Sequence, residues 1–175
     1  FDPARYRAVL ELAAAKAGWR TRKLPKGWGR GIAAHAYLDC GTYVAQVAEV
    51  EAKAGGDIRV HRVVCAVDCG MALNPGNVKA QMEGGIAFGL SAALYDEITL
   101  KDGRVTADSF SDHPILLLPS MPKVEVHIVP SDLPPGGVGE PGLPPLAPAV
   151  ANAVFAATGK RLRSLPLLPP ALRKA

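Results

Sequence analysis

The stretch YVAQVAEVEAKAGGDIRVHRVVCAV, residues 43–67, decides the fold. Its small and β-branched residues predict two strands, Tyr43–Ala52 and Ile58–Val67. Gly55-Gly56-Asp57 between them suits a hairpin turn. The second strand alternates at first, with Ile58 and Val60 opposite Arg59 and His61, then turns continuously apolar through Val63-Val64-Cys65-Ala66-Val67. A strand apolar on both sides must be covered on both faces, so this one runs from the surface into the core.

Working outward, Gly31–Leu38 is a further strand, preceded by a basic, Gly-rich connection from Trp19 to Gly31. Before that, residues 3–17 read as a helix, with Asp2 as cap, Pro3 in the first turn and Gly18 as stop. On the other side, Asn74-Pro75 starts a helix over about 76–95, in which Val78, Met82, Ile86, Leu90 and Leu94 form a buried stripe. Gly84, Gly85 and Gly89 interrupt it. Each costs about 1 kcal/mol relative to Ala, which is tolerated where another backbone or a ligand comes close. The pattern alone leaves those two open.

A hairpin over Glu97–Leu100 and Arg104–Ala107 around Asp102-Gly103, and a strand over Val124–Val129, are expected to extend the sheet. A helix over Pro145–Thr158, apolar all round and stopped by Gly159, must be buried. The fold class predicted is α+β, a largely antiparallel sheet with packed helices. No repeat or linker divides the chain. Residues 1–175 read as a single domain: helix and connection over 1–30, then the sheet, second helix and the loop containing Glu140 over 31–175.

Composition narrows the function. The chain is 49% hydrophobic, with formal net charge +4 and a sequence pI near 9.1. No apolar run reaches the ~18 residues of a membrane span. Phe1-Asp2-Pro3 opens a helix with no visible signal peptide, and a first residue other than Met points to a trimmed chain. Basic residues gather at Arg20, Arg22, Lys23 and Lys26 and again at Lys160, Arg161, Arg163, Arg173 and Lys174. The second group lacks interleaved aromatics and sits at and beyond a helix end that favours cations, so nucleic-acid binding is disfavoured. The three cysteines, Cys40, Cys65 and Cys69, cannot all pair with one another. No second Cys/His pair accompanies the C-x3-C spacing, so buried thiols are expected, and the count argues weakly for a reducing compartment. His35, His61, His113 and His127 show no paired spacing, and Glu83 is expected to pair with Lys79 at i,i+4.

One acid stands out. GGVGEPGLPPLAPAV, residues 136–150, sets Glu140 alone among Gly, Pro and apolar residues shortly before a helix. Burial raises a carboxyl pKa while helix-start N–H groups favour the anion, a tension that holds a general base near neutral pH. Spacing alone favours an ordinary acid near a helix start. Gln81, likewise, reads by itself as a capping or core-bonded amide.

The motifs together carry a resemblance. RGIAAH (30–35), YVAQVAEV (43–50), AVDCG (66–70), NP (74–75), QMEGGIAFGLSAAL (81–94), GGVGEPGLPPLAPAVANA (136–153) and ATGKRLRSLPL (157–167) occur in register over nearly the whole chain. They resemble the C-terminal part of the molybdenum-binding subunit of the xanthine oxidase, or molybdenum hydroxylase, family. The type is that of isoquinoline 1-oxidoreductase beta subunits, also described as aldehyde dehydrogenase large subunits.

The resemblance implies a fragment of a molybdenum-cofactor-binding domain. Glu140 would be the catalytic base that activates an oxygen on molybdenum, which attacks an aldehyde or N-heterocycle carbon while hydride passes to a sulfido group. Gln81 would hydrogen-bond the molybdopterin, with Gly84, Gly85 and Gly139 beside it, and the cofactor would be the cytosine dinucleotide form. The pterin dithiolene would hold the metal, so no protein metal ligand is expected. Implied partners are the remainder of the molybdenum-binding subunit, an iron–sulfur subunit and a small aldehyde or N-heterocycle. Asp39-Cys40 departs from the small polar residues expected before GTYVAQ, and an exposed Cys40 would be reactive. Length departs further, since the family builds its site between two large domains and this chain supplies one wall. Alone it is expected to be inactive, and a cofactor-free structural or assembly module is the alternative. The compartment stays open between cytoplasm and periplasm.

Overall fold

Strand β2, Thr42–Ala52, is buried along its whole length except at Glu51 and forms the centre of the computed structural model, which describes residues 1–53, 58–109 and 111–167. It pairs antiparallel with β1, Trp28–Tyr37, on one side and with β3, Ile58–Asp68, on the other. The expected Gly55-Gly56-Asp57 turn and the basic residues Arg173 and Lys174 lie outside the described residues. A further strand, β6 (Lys123–Ile128), completes the order β1-β2-β3-β6 and runs parallel to β3. A parallel neighbour needs a long crossover, and the chain between β3 and β6 provides it.

Alternate residues of β2 and β3 enter two separate cores, because successive side chains of a strand point to opposite faces. On one face Tyr43, Ala45, Val47, Val64 and Ala66 pack on Val9, Ala13 and Ala17 of helix α1, Pro3–Ala17. On the other Val44, Ala48, Val63, Cys65 and Val67 pack on helices α2, Pro75–Leu94, and α3, Leu146–Thr158. The continuous apolar run of β3 is thus covered on both sides. Each fully buried Val or Leu here contributes about 1.5–3 kcal/mol. The helices begin and end on local chemistry: Asp2 accepts from the Ala4 and Arg5 N–H groups, Asn74 accepts from Asn77 N–H, and Gly18 and Gly159 close α1 and α3 in the left-handed region. No helix among the described residues is long and apolar enough to cross a membrane.

Two details differ from the sequence reading. Strand β1 starts at Trp28 rather than Gly31, because α3 lies directly on its backbone. A Cβ at Gly31 would stand 2.2 Å from the Ala149 carbonyl oxygen, and one at Gly29 would stand 2.0 Å from that of Ala153. The expected second hairpin forms only as β4 (Leu100–Lys101) and β5 (Arg104–Val105), a separate sheet instead of an extension of the main one. All four of its residues are exposed, so it has no apolar face with which to dock.

Two ion-pair clusters fix α1 to the sheet. Arg5 grips Asp68 with Nε and Nη2 at 2.9 and 2.7 Å and lies 4.6 Å from the centre of the Tyr43 ring. Burial pushes the Asp68 carboxyl up, but Arg5 and the Gly70 N–H outweigh it and hold the group below the usual carboxylate range. At the other end of the sheet the buried Glu49 meets Arg30 at 3.0 Å and Arg62 at 3.4 Å, and also pairs with Arg22. Arg30 in addition donates to the Gly18 and Trp19 carbonyls just past α1.

Candidate functional site

The loop holding Glu140 is tied down before the acid is reached. Gly136 N–H donates to the Cys69 carbonyl at 2.7 Å, Gly137 N–H to the Cys40 carbonyl at 3.1 Å, and the buried Thr42 hydroxyl to the Gly137 carbonyl at 2.7 Å. Beyond the acid, Pro141 and Gly142 are buried, and the Gln46 side-chain amide donates to the Gly142 carbonyl at 2.6 Å. Leu143 N–H then closes a turn on the Glu140 carbonyl at 2.9 Å before α3 begins.

Between those anchors the Glu140 side chain is exposed, not buried as its surroundings in the sequence suggest. The apolar neighbours turn inward to the core, and that directs the acid outward. Its carboxylate is not at the start of α3 either. Instead Oε2 accepts a hydrogen bond of 2.7 Å from the Tyr37 phenol at the end of β1. That bond to Glu140 is the main cause that raises the Tyr37 pKa above its ordinary value.

Helix α2 supplies the other side of the site. Its stripe of Val78, Met82, Ile86, Leu90 and Leu94 is buried. Two of the three glycines answer to the Glu140 loop: a Cβ at Gly85 would stand 3.2 Å from the Gly142 carbonyl carbon, and one at Gly89 would stand 3.1 Å from the Leu143 carbonyl oxygen. Gly84 is different, since a Cβ there would meet nothing within 4 Å. Gln81 is exposed one turn earlier, and its Nε2 lies 3.8 Å from the point a Cβ on Gly139 would occupy. Gln81 and the Gly139–Glu140 segment are therefore neighbours, although 59 positions separate the two polar residues in the sequence. Phe88, spaced at i+7 from Gln81 and i+4 from Gly84, is 68% exposed on that side of the helix. Leu38, next to Tyr37, is 56% exposed.

The other candidates lie apart or serve packing. His61 stacks on Trp28 at 3.9 Å and bonds Glu51, His113 lies 3.8 Å from Asp96, and burial first, then Lys16, holds His127 below its ordinary pKa. Of the four histidines His35 alone approaches the site, its ring edge-on to Tyr37 at 5.7 Å. Cys65 and Cys69 are buried, and burial pushes the Cys65 thiol up to about 12. Cys40 is half-buried beneath the loop, its Sγ 3.4 Å from the Gly137 carbonyl. Among the described residues, Lys79 and Glu83 form no ion pair, and no group of three or more His, Cys, Asp and Glu side chains stands together to hold a bare metal ion. Cavities of about 310 Å³ beside α3 and of about 530 Å³ between α1, α2 and β6 do not include Gln81 or Glu140.

Sequence reasoning passes over Tyr37 and Gln46. Tyr37 shows no signal, because its partner is 103 residues away. Gln46 has one: it is a polar residue in a strand otherwise dominated by Val and Ala, and such a residue needs a specific partner when buried. Its Oε1 is buried without a hydrogen bond.

An open helix face carrying a carboxamide and a glycine, beside a tethered loop with a single carboxylate, suits a large polar cofactor laid across it. A model of the molybdopterin cofactor-binding domain matches residues 5–122. The chain belongs to that family. The chain is 39% identical to the beta subunit of isoquinoline 1-oxidoreductase from Brevundimonas diminuta over 165 residues, 93% of this chain and 21% of the relative. It is 32% identical to a membrane-bound, pyrroloquinoline-quinone aldehyde dehydrogenase of Gluconacetobacter polyoxogenes, over 94% of this chain and 22% of the relative. The fold matches quinoline 2-oxidoreductase of Pseudomonas putida 86 with a TM-score of 0.67 and 24% identity, covering 77% of this chain and 18% of that one. The chain thus spans about a fifth of the length of these relatives.

Proposed function

We propose that this chain is one wall of the active site of a molybdenum hydroxylase that oxidises small aldehydes or N-heterocycles. The observation that supports the reading is the proximity of the Gln81 amide to Gly139, next to Glu140, with Gln81 and Glu140 both exposed. The residues fit the cofactor in chemistry and in space. Gln81 offers both a donor and an acceptor to pterin or phosphate edges. Gly84 leaves the helix backbone accessible there. Gly85 serves the site by letting the 142–143 backbone close on the helix, and Gly139 keeps the ground before Glu140 free of side chain. The cofactor proposed is molybdenum–molybdopterin in its cytosine dinucleotide form.

When bound, the cofactor supplies the oxygen atom transferred to the substrate and takes up the electron pair from the oxidised carbon. The chain's part is orientation and proton handling. Glu140 would accept and hold a proton at its carboxylate, a task for one well-placed carboxylate. Thr42, the Cys40 and Cys69 carbonyls and Gln46 hold the backbone on both sides of it. The opposite wall and the substrate pocket come from the remainder of the molybdenum-binding subunit, and an iron–sulfur subunit carries the electrons away. The chain by itself does not turn over.

Glu140→Gln in the assembled enzyme tests the reading. The expected result is a loss of turnover of about 10²–10⁴-fold with molybdenum content near normal, since only the proton acceptor is removed. Full activity in that variant contradicts it. Stoichiometric molybdenum in the purified assembly separates the reading from that of a cofactor-free assembly module.

A further inference from the structure

Tyr37 and Glu140 meet through a frame built on a single turn. The phenol is the last residue of β1, followed by the short 3-10 turn Leu38–Cys40 and Gly41 in the left-handed region. That same turn anchors the Glu140 loop, through the Cys40 carbonyl to Gly137 N–H and through Thr42 to the Gly137 carbonyl. Both ends of the 2.7 Å phenol–carboxylate bond are therefore referenced to one piece of backbone. Among the described residues no donor reaches the second carboxylate oxygen, Oε1.

We propose that Tyr37 is a positioning residue for Glu140: its hydroxyl engages Oε2, fixes the plane of the carboxylate, and leaves Oε1 as the oxygen that receives the proton. The inference rests on the reading of Glu140 as the base. A hydroxyl bond to a carboxylate restricts the rotation of an exposed side chain that packing does not hold, and a base misplaced by an ångström loses rate steeply. The phenol keeps its own proton throughout. The groups facing it are Glu140, Asp39 and Cys40, all of which oppose its ionisation, and the His35 ring edge. The transferred proton moves only to Oε1, and no electron transfer is involved.

Two measurements test this. In the assembled enzyme, Tyr37→Phe keeps the ring and removes one hydrogen bond to a charged group. It should lower kcat about tenfold to a hundredfold, with KM within about twofold and molybdenum content unchanged. Separately, the protein labelled with ¹³C at tyrosine Cζ should show the Tyr37 resonance, assigned by its loss in Tyr37→Phe, titrating at lower pH in Glu140→Gln, towards the ordinary phenol value of about 10. That titration reports the phenol–carboxylate contact itself, and the fall in kcat at nearly constant KM in Tyr37→Phe reports that the contact serves the base. An unchanged kcat in Tyr37→Phe, or an unchanged Tyr37 titration in Glu140→Gln, overturns the proposal. If Glu140→Gln abolishes turnover while Tyr37→Phe does not, only the role of Tyr37 falls. If Glu140→Gln is fully active, the base assignment falls and takes the proposal with it.

Discussion

Two glutamates that meet opposite ends of strand β1 show how differently the same side chain can be held. Glu49, across from Arg30 in the β1–β2 register, is 1% exposed and ringed by Arg22, Arg30 and Arg62. Glu140 reaches the far end of β1 at Tyr37, about 23 Å from Arg30 along the strand at roughly 3.3 Å per residue. It is exposed, has no cation within ion-pair distance among the described residues, and is held by one neutral hydroxyl. Glu49 is held by charge from three sides, and Glu140 by a single hydrogen bond to one carboxylate oxygen. The arginine-bound end of the sheet serves stability, and the phenol-bound end carries the base proposed above.

The comparison breaks most visibly under a matched pair of substitutions. Glu49→Gln should destabilise the fold by about 3–5 kcal/mol, because it leaves the buried Arg30 without its counter-charge. Glu140→Gln should shift stability by no more than about 0.5 kcal/mol. Denaturant unfolding of the two variants checks both, and equal losses would erase the distinction. Next in size, Gly31→Val should cost about 1–3 kcal/mol or more, because its side chain meets the backbone of α3. An unperturbed melting temperature would show that α3 does not lie where the fold places it.

Acid sharpens the contrast at the stability end. Arg62 above all holds Glu125 at about 2, and Arg5 with Gly70 N–H holds Asp68 below its usual range. Both carboxyls have folded values below their unfolded ones, so their stabilisation is fully present above about pH 4.5 and is lost as the pH falls towards about 2. Unfolding followed over that window should show a falling midpoint that Arg62→Met flattens in part. A flat profile in the unsubstituted protein would contradict the ion-pair account. The smallest effect concerns the thiols. Cys65, pushed up to about 12 by burial, should resist alkylation in the folded state, whereas the half-buried Cys40 beneath the Glu140 loop should be modified first. Mass mapping after brief alkylation reads the order, and reversal would place the core differently.

Much of the sheet is legible in the sequence because its signals are local. The Val and Ala alternation of 43–67, the caps at Asp2 and Asn74 and the stripe from Val78 to Leu94 all act within a few residues. The glycines of α2 are legible as close approaches but not by partner. Gly85 and Gly89 face the 142–143 backbone and Gly84 faces open space, a distinction only the packed loop reveals. Gly29 reads as connection and Gly31 as the strand's first residue, because nothing local records a helix arriving from 120 residues downstream. The exposure of Glu140 is hidden from the sequence for a related reason. Its apolar neighbours signal burial of the segment, while the direction of one side chain within that segment depends on Tyr37 and Gln46, both distant in sequence.

The central claim is that Gln81, Gly84 and Glu140 border one molybdenum cofactor. Diffraction from the assembled enzyme on both sides of the molybdenum absorption edge tests this most directly, since the difference locates the metal without reference to the protein. The account predicts a single strong anomalous peak on the open face shared by those three residues, with Glu140 the carboxylate nearest to it among the residues of this chain. A peak on another face, or a fully active enzyme with no molybdenum there, would contradict it.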